Sequence, residues 1–177
     1  MKEIFIAFAK QNEETNKAFA AVLDKMTNDE REKNRKSYYG SLSGLMRHIL
    51  GGTVFFLGMF TGHFAKNEAA QKALSGLKKA DTLDGVKKLD EAQWKKICAS
   101  LKIADKAWVD LMAALSEADF ASMFKTDWYK NKPAEVPFWF MLEQLVTHNL
   151  HHRGQVSQIL DTLKIENDYS GVNVKFL

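Results

Sequence analysis

Three of the chain's five histidines, His148, His151 and His152, fall in the stretch from Leu145 to Leu160. On an α-helix, residues four apart share a face, so His148 and His152 can offer two imidazoles to one ion. Gln155 shares that face, and Leu145 and Ile159 continue it in either direction. A face that is apolar at both ends and imidazole in its middle turns its polar groups inward. Neutral imidazole is the commonest metal ligand near neutral pH. The plain alternative, a solvated helix face, holds for most single histidines; the i,i+4 pair within an apolar stripe weighs against it. His151 is three residues from His148 and could compete with His152. It lies about 100° around the helix from His152, so the two cannot both point squarely inward. Two histidines make half a site.

A third candidate is His48, in an apolar run with Gly44 and Gly52 one helical step of four before and after it. Glycine costs about 1 kcal/mol against alanine in a helix interior, so two beside one histidine imply a packing reason. They leave room for another helix, or a ligand, to approach the imidazole. The fifth histidine, His63, follows Gly62 at an expected helix end, where a cap or surface role suits it better. No acid or base is identifiable beside the pair: Glu143, five residues before His148, lies about 140° away around the helix.

The elements that must position these residues read as four long amphipathic helices. Residues 2–26 form the first, with Ile4, Phe8, Phe19, Val22 and Met26 as its stripe. Gln11 and Thr15 interrupt that stripe; either they meet solvent, or they line a polar cavity that opens towards the region of His48. Thr27-Asn-Asp-Glu30 supplies a turn and an N-cap. The second helix spans 30–65, with a break or kink after its charged start. Residues 66–90 read as a helix end, a loop and a short helix, with turn signals at Ser75-Gly76 and Asp84-Gly85. The third long helix, 90–116, carries the stripe Ile97, Leu101, Ala104, Trp108, Leu111 and Leu115, with Cys98 beside it as a small core residue. Residues 117–135 read as loop and edge structure, with Phe120, Phe124, Trp128 and Tyr129 folded over one end. Pro137 suits the first turn of the last helix, which runs to about Lys164. The tail from Asp168 alternates at Val172, Val174 and Phe176 but is too short to assign. Four such helices fit an all-α, four-helix bundle.

With 177 residues the chain fits a single domain, 1–177, large enough to bury a core. The net charge of +3 comes from 25 basic and 22 acidic residues scattered along the chain, which argues against a nucleic-acid partner. Cys98 is the only cysteine, so neither an intramolecular disulfide nor a thiolate cluster is available. The N-terminal apolar run Ile4–Ala9 is too short for a signal core. Ile49–Gly62, the longest uncharged stretch, falls below the roughly 18 residues of a membrane span. A cytoplasmic protein without a membrane partner is the expectation.

The string His-Asn-Leu-His-His-Arg-Gly-Gln at 148–155, with His48 about a hundred residues earlier, resembles the DinB superfamily (DinB/YfiT-like) of bacterial proteins. The resemblance rests on that string and one histidine, and through helix order and length it extends over nearly the whole chain. It implies an up-down-down-up four-helix bundle and a divalent ion, zinc, nickel or manganese, held by His48, His148 and His152. It also implies that His151 is not a ligand, that the chain is a homodimer, and that water fills the open coordination positions. Some relatives are transferases or isomerases that use a low-molecular-weight thiol (bacillithiol or mycothiol). The functional expectation is therefore a metal-dependent hydrolase or thiol S-transferase. The alternative is a non-catalytic metal-binding protein with a stress-related or interaction role. Three protein ligands with an open position match catalytic rather than structural zinc, and Gln155 is the nominee to hold one imidazole's other nitrogen.

Overall fold

A computed structural model describes residues 1–127, 132–169, 171 and 174–176. The chain is mostly helical, with one small antiparallel sheet. Its helices are α1 (Lys2–Leu23), α2 (Asn28–Glu32), α3 (Leu42–His63), α4 (Glu68–Leu74), α5 (Glu91–Ala114), α6 (Glu117–Phe120) and α7 (Phe138–Thr162). Strands β1 (Met123–Thr126) and β2 (Ala134–Pro137) pair as a hairpin between α6 and α7. The long helices α1 and α3 each pack against both α5 and α7.

In α1 the buried face differs from the expected stripe. It runs through Phe5, Ala9, Asn12, Asn16, Phe19 and Leu23, whereas Ile4 is 57 % exposed. The spacing is helical, but two asparagines occupy its middle. Asn12 Nδ2 donates to Asp105 Oδ1 at 2.7 Å, and Asn16 Nδ2 donates to both oxygens of the same carboxylate at 3.0 and 3.1 Å. Burial of amides is tolerated when they are hydrogen-bonded, and such a face is invisible to a search for apolar periodicity.

Where one interrupted helix was expected over 30–65, the chain forms two. Thr27 Oγ1 caps α2 by accepting from the Glu30 amide, and Ser41 Oγ caps α3 by accepting from the Gly44 amide. Between them the backbone turns back on itself, with Lys36 at φ 61° and Gly40 at φ 77°. Residues 33–36, Lys-Asn-Arg-Lys, offer no apolar side chain to bury, so nothing carries a helix through them.

The later elements follow the sequence pattern more closely. Asp90 and Gln93 form a reciprocal capping box at the start of α5. All six residues of its expected stripe, Ile97 to Leu115, are buried. Cys98 is half-buried beside them, and burial pushes its thiol up to about 11, so it is unreactive as a thiolate. Over 66–90 come α4 and a 3-10 turn (Leu77–Lys79), which press Ala70, Leu74 and Leu77 into the core. Phe120 is buried against Phe138 and Phe124 against Phe60; Trp128 and Tyr129 lie outside the described residues. Pro137 occupies the cap position of α7 rather than its first turn. In the tail, Val172 and the Val174 side chain also lie outside the description, while Phe176 is buried.

By length and composition α3 is apolar enough to cross a membrane, yet half of its apolar window is buried inside the protein. It carries Arg47 and His48 and packs against its neighbours as a core helix.

One buried cation closes the end of α1. The Arg31 guanidinium, 1 % exposed, donates to the carbonyls of Leu23 and Met26, to Asn28 Oδ1 and to Glu91, and lies 5.2 Å from the Trp94 ring centroid. Arg31→Ala leaves those carbonyls without their donor and opens a void. We expect it to cost about 2–4 kcal/mol in urea unfolding, with the helical circular dichroism of the native state retained.

Candidate metal centre

His48 comes from α3; His148 and His152 come from successive turns of α7. The approach of the two helices depends on Gly52. A Cβ placed there would meet Cε1 of His148 at 2.2 Å and Nδ1 at 2.7 Å, so the imidazole occupies the space a side chain would take. Gly44 serves a different purpose: its missing Cβ makes room for the backbone carbonyl of Tyr39, which would be 2.2 Å away. Of the two glycines flanking His48, one admits a neighbouring imidazole and the other admits the preceding loop.

The Nε2 atom of His48 lies 3.0 Å from His152 Nε2 and 3.0 Å from His148 Nε2. One ring nitrogen from each of the three falls within 4.8 Å of the others, a grouping that could hold a metal ion. Nitrogens bound about 2.1 Å from a common ion sit roughly 3–3.5 Å apart, so the convergence has the right scale. His151 is exposed and outside the group, although its ring lies edge-on to His152. His63 is at the other end of α3, where its Nε2 is 2.8 Å from Ser122 Oγ and its ring packs on Phe64 and Phe138.

The hydrogen bonds around the rings select their tautomers. His148 Nδ1 is 3.1 Å from Asn149 Oδ1, and His152 Nδ1 is 2.8 Å from Gln155 Oε1. The Asn149 amide nitrogen donates to Asn12 Oδ1 at 3.0 Å and to Thr53 Oγ1 at 3.1 Å, so its oxygen faces the imidazole. Both Nδ1 atoms therefore carry the proton, and both Nε2 atoms present a lone pair to the centre. His48 is held differently: the Tyr39 ring stacks on it at 3.7 Å between centroids and 16° between planes.

Burial, then the neighbouring imidazoles of His152 and His148, push His48 down to about 4 from its ordinary 6.5. Burial lowers His148 and His152 too, opposed in part by their bonds to Asn149 and Gln155. The sign follows from the folded values lying below the unfolded one. The neutral histidines contribute their stability in full above about 6.5, and it is lost as pH falls towards 4, where the unfolded chain takes up protons first. At neutral pH the three rings are uncharged, the state a metal requires.

Gln155 was legible as a partner of the pair. Asn149 was not, nor were Tyr39, Asn12 and Asp105. An asparagine next to a candidate ligand is a common residue in a common place, and only the packing of α7 against α1 and α3 gives it a role. Gln11 and Thr15 do line a cavity, of about 700 Å³, but His48, His148 and His152 are not among its lining residues. The cavity lies between α1, the far side of α7 and residues 166–169, because Arg153, Leu150 and Ser157 project about 100–200° from the histidine face.

A paired substitution tests the close approach. Gly52→Ala forces the His148 ring aside; we expect a loss of about 1–3 kcal/mol in stability together with weakened divalent-ion binding. Gly51→Ala meets nothing within 4 Å and should be neutral or stabilising by up to about 1 kcal/mol, binding unchanged. Urea unfolding and a metal titration of both variants give the comparison.

The model of the DinB family matches residues 1–163, a span that includes all three converging histidines and the residues that orient them. A search of curated proteins returned no match. A match over this much of the sequence means that the chain belongs to the DinB family.

Proposed function

We propose that His48, His148 and His152 hold one divalent ion through their Nε2 atoms, at the centre of an up-down-down-up four-helix bundle. In this reading the protein is a metal-dependent hydrolase or thiol S-transferase of the cytoplasm. The observation that carries it is the convergence of three neutral imidazoles, two of which, His148 and His152, commit their Nδ1 protons to Asn149 and Gln155. The donor set fits zinc or nickel better than manganese, which favours oxygen ligands. A divalent ion held by His48, His148 and His152 would supply Lewis acidity, which lowers the pKa of water or of a thiol.

The chain's own residues have separate tasks in this reading. Asn149 and Gln155 fix two imidazoles in the binding tautomer, and Tyr39 fixes the plane of the third. Burial of Tyr39 raises its phenol above the ordinary 10.0, so it stays protonated and uncharged beside the centre. A low-molecular-weight thiol is the proposed substrate for the transferase form. The reading gives way to a non-catalytic metal-binding role if a structure with the ion bound leaves no solvent-accessible coordination position.

Metal analysis of the untagged protein should give close to one divalent ion per chain, and none for the His148→Ala, His152→Ala double variant. Asn149→Ala and Gln155→Ala should each bind the ion about 10–100-fold more weakly. His151→Ala and His63→Ala should keep it; loss of metal from His151→Ala would place the ion on the wrong face.

A homodimer is part of the same proposal. Ile4 and Phe55 are large apolar side chains each more than half exposed, which a subunit contact would cover. Light scattering at micromolar concentration should return twice the chain mass of 20.1 kDa, and a single monomeric species would rule the dimer out.

A further inference from the structure

The cavity on the far side of α7 has the size of a small-molecule site, about 700 Å³. Phe8 and Phe19 of α1, Trp108 of α5, and Val146 and Leu150 of α7 supply its apolar walls. Arg153, 7 % exposed, also lines it. One guanidinium nitrogen, Nη1, donates to Asn12 Oδ1 at 2.7 Å; among the described residues the rest of the group has no hydrogen-bond partner, and no carboxylate lies within ion-pair distance. Asp105 is connected to Arg153 only through the intervening Asn12 amide. Trp108, 1 % exposed, lends the cavity only the apolar part of its ring, its indole nitrogen being shielded from solvent.

A buried guanidinium with free N–H groups is costly unless an acceptor meets it, and its planar fork matches a carboxylate. The outer part of the cavity has the opposite character. Asp161, Glu166 and Asp168 line it and are exposed. A simple anion would be repelled there, whereas a ligand whose outer end is cationic would be attracted.

We propose that this cavity binds a zwitterionic small molecule with an apolar body, about the size of a dipeptide. Its carboxylate meets Arg153, its apolar groups lie against Phe8, Phe19 and Leu150, and its ammonium faces the acidic rim. The site is separate from the histidine centre and does not depend on a metal being bound there.

The probe is the dipeptide leucyl-phenylalanine, titrated calorimetrically into the full chain beside its C-terminal amide and its N-acetyl derivative. Saturable binding of the free dipeptide below about 1 mM is expected, with each blocked form at least about tenfold weaker. Leu150→Trp fills the cavity from a half-exposed position without touching the polar groups; it should abolish binding while thermal stability stays at the wild-type level. Arg153→Gln, which can still donate to Asn12, should bind the acid and the amide equally. No binding of the free dipeptide at millimolar concentration overturns the proposal. So does equal binding of either blocked form to the wild type, or undiminished binding to a folded Leu150→Trp variant.

Discussion

The Asn149 side chain joins four helices. From α7 it accepts from the His148 imidazole and donates to Thr53 on α3 and to Asn12 on α1, and Asn12 in turn donates to Asp105 on α5. All of these except the imidazole are essentially excluded from solvent. An amide in such a place is stabilising only if its donors and acceptors are met, and each lost partner costs about 1–3 kcal/mol. A slide of any one long helix by a turn would break the seam, whereas apolar side chains such as Leu45, Leu111 and Leu142 repack at smaller cost. The seam therefore sets the register of the helices, and the surrounding apolar core supplies most of the favourable free energy.

That register is what brings the histidines together. His148 lies over Gly52 only if α7 stands at one height against α3, and His152 reaches His48 only from the next turn. The same contact that places α7 also orients the His148 ring, because the Asn149 oxygen is held by what its nitrogen donates to. Position and protonation state are determined together. Tyr39 adds a constraint from outside the long helices. The loop after α2 folds back at Lys36 and Gly40, seats its carbonyl over Gly44 and lays its ring on His48.

The parts of this arrangement legible in the sequence are those with a single strong period. The stripe of α5 and the histidine pair of α7 stood out because each repeats a residue class at helical spacing. The buried face of α1 did not, because Asn12 and Asn16 replace apolar residues at its centre and donate their amide nitrogens to Asp105, a partner 93 residues from Asn12. The break between α2 and α3 was half-visible: the charged run was plain, but the positive φ at Lys36, a residue with no preference for that region, carries no signal in composition. Gln11 and Thr15 pointed to a cavity, and its direction was wrong, since helix rotation is fixed by the hidden asparagines rather than by the visible apolar residues.

The two ends of the seam carry opposite electrostatic burdens. Burial drives Asp105 up to about 7 and Arg153 down to about 10, each moving towards its neutral form. The Asn16 and Asn12 amides and the Arg153 charge oppose the shift of Asp105, and the Asp105 charge opposes that of Arg153. Asn12 stands between them, with its oxygen towards the cation and its nitrogen towards the carboxylate. Its dipole is thereby aligned with the field of the pair, which fixes the direction of every amide that follows it. Reversing Asn12 would set its nitrogen against two donors, Arg153 and Asn149, and its oxygen against a carboxylate. The orientation of the Asn149 oxygen at His148, and with it the lone pair offered at Nε2, thus follows from a charge pair on the far side of the helix.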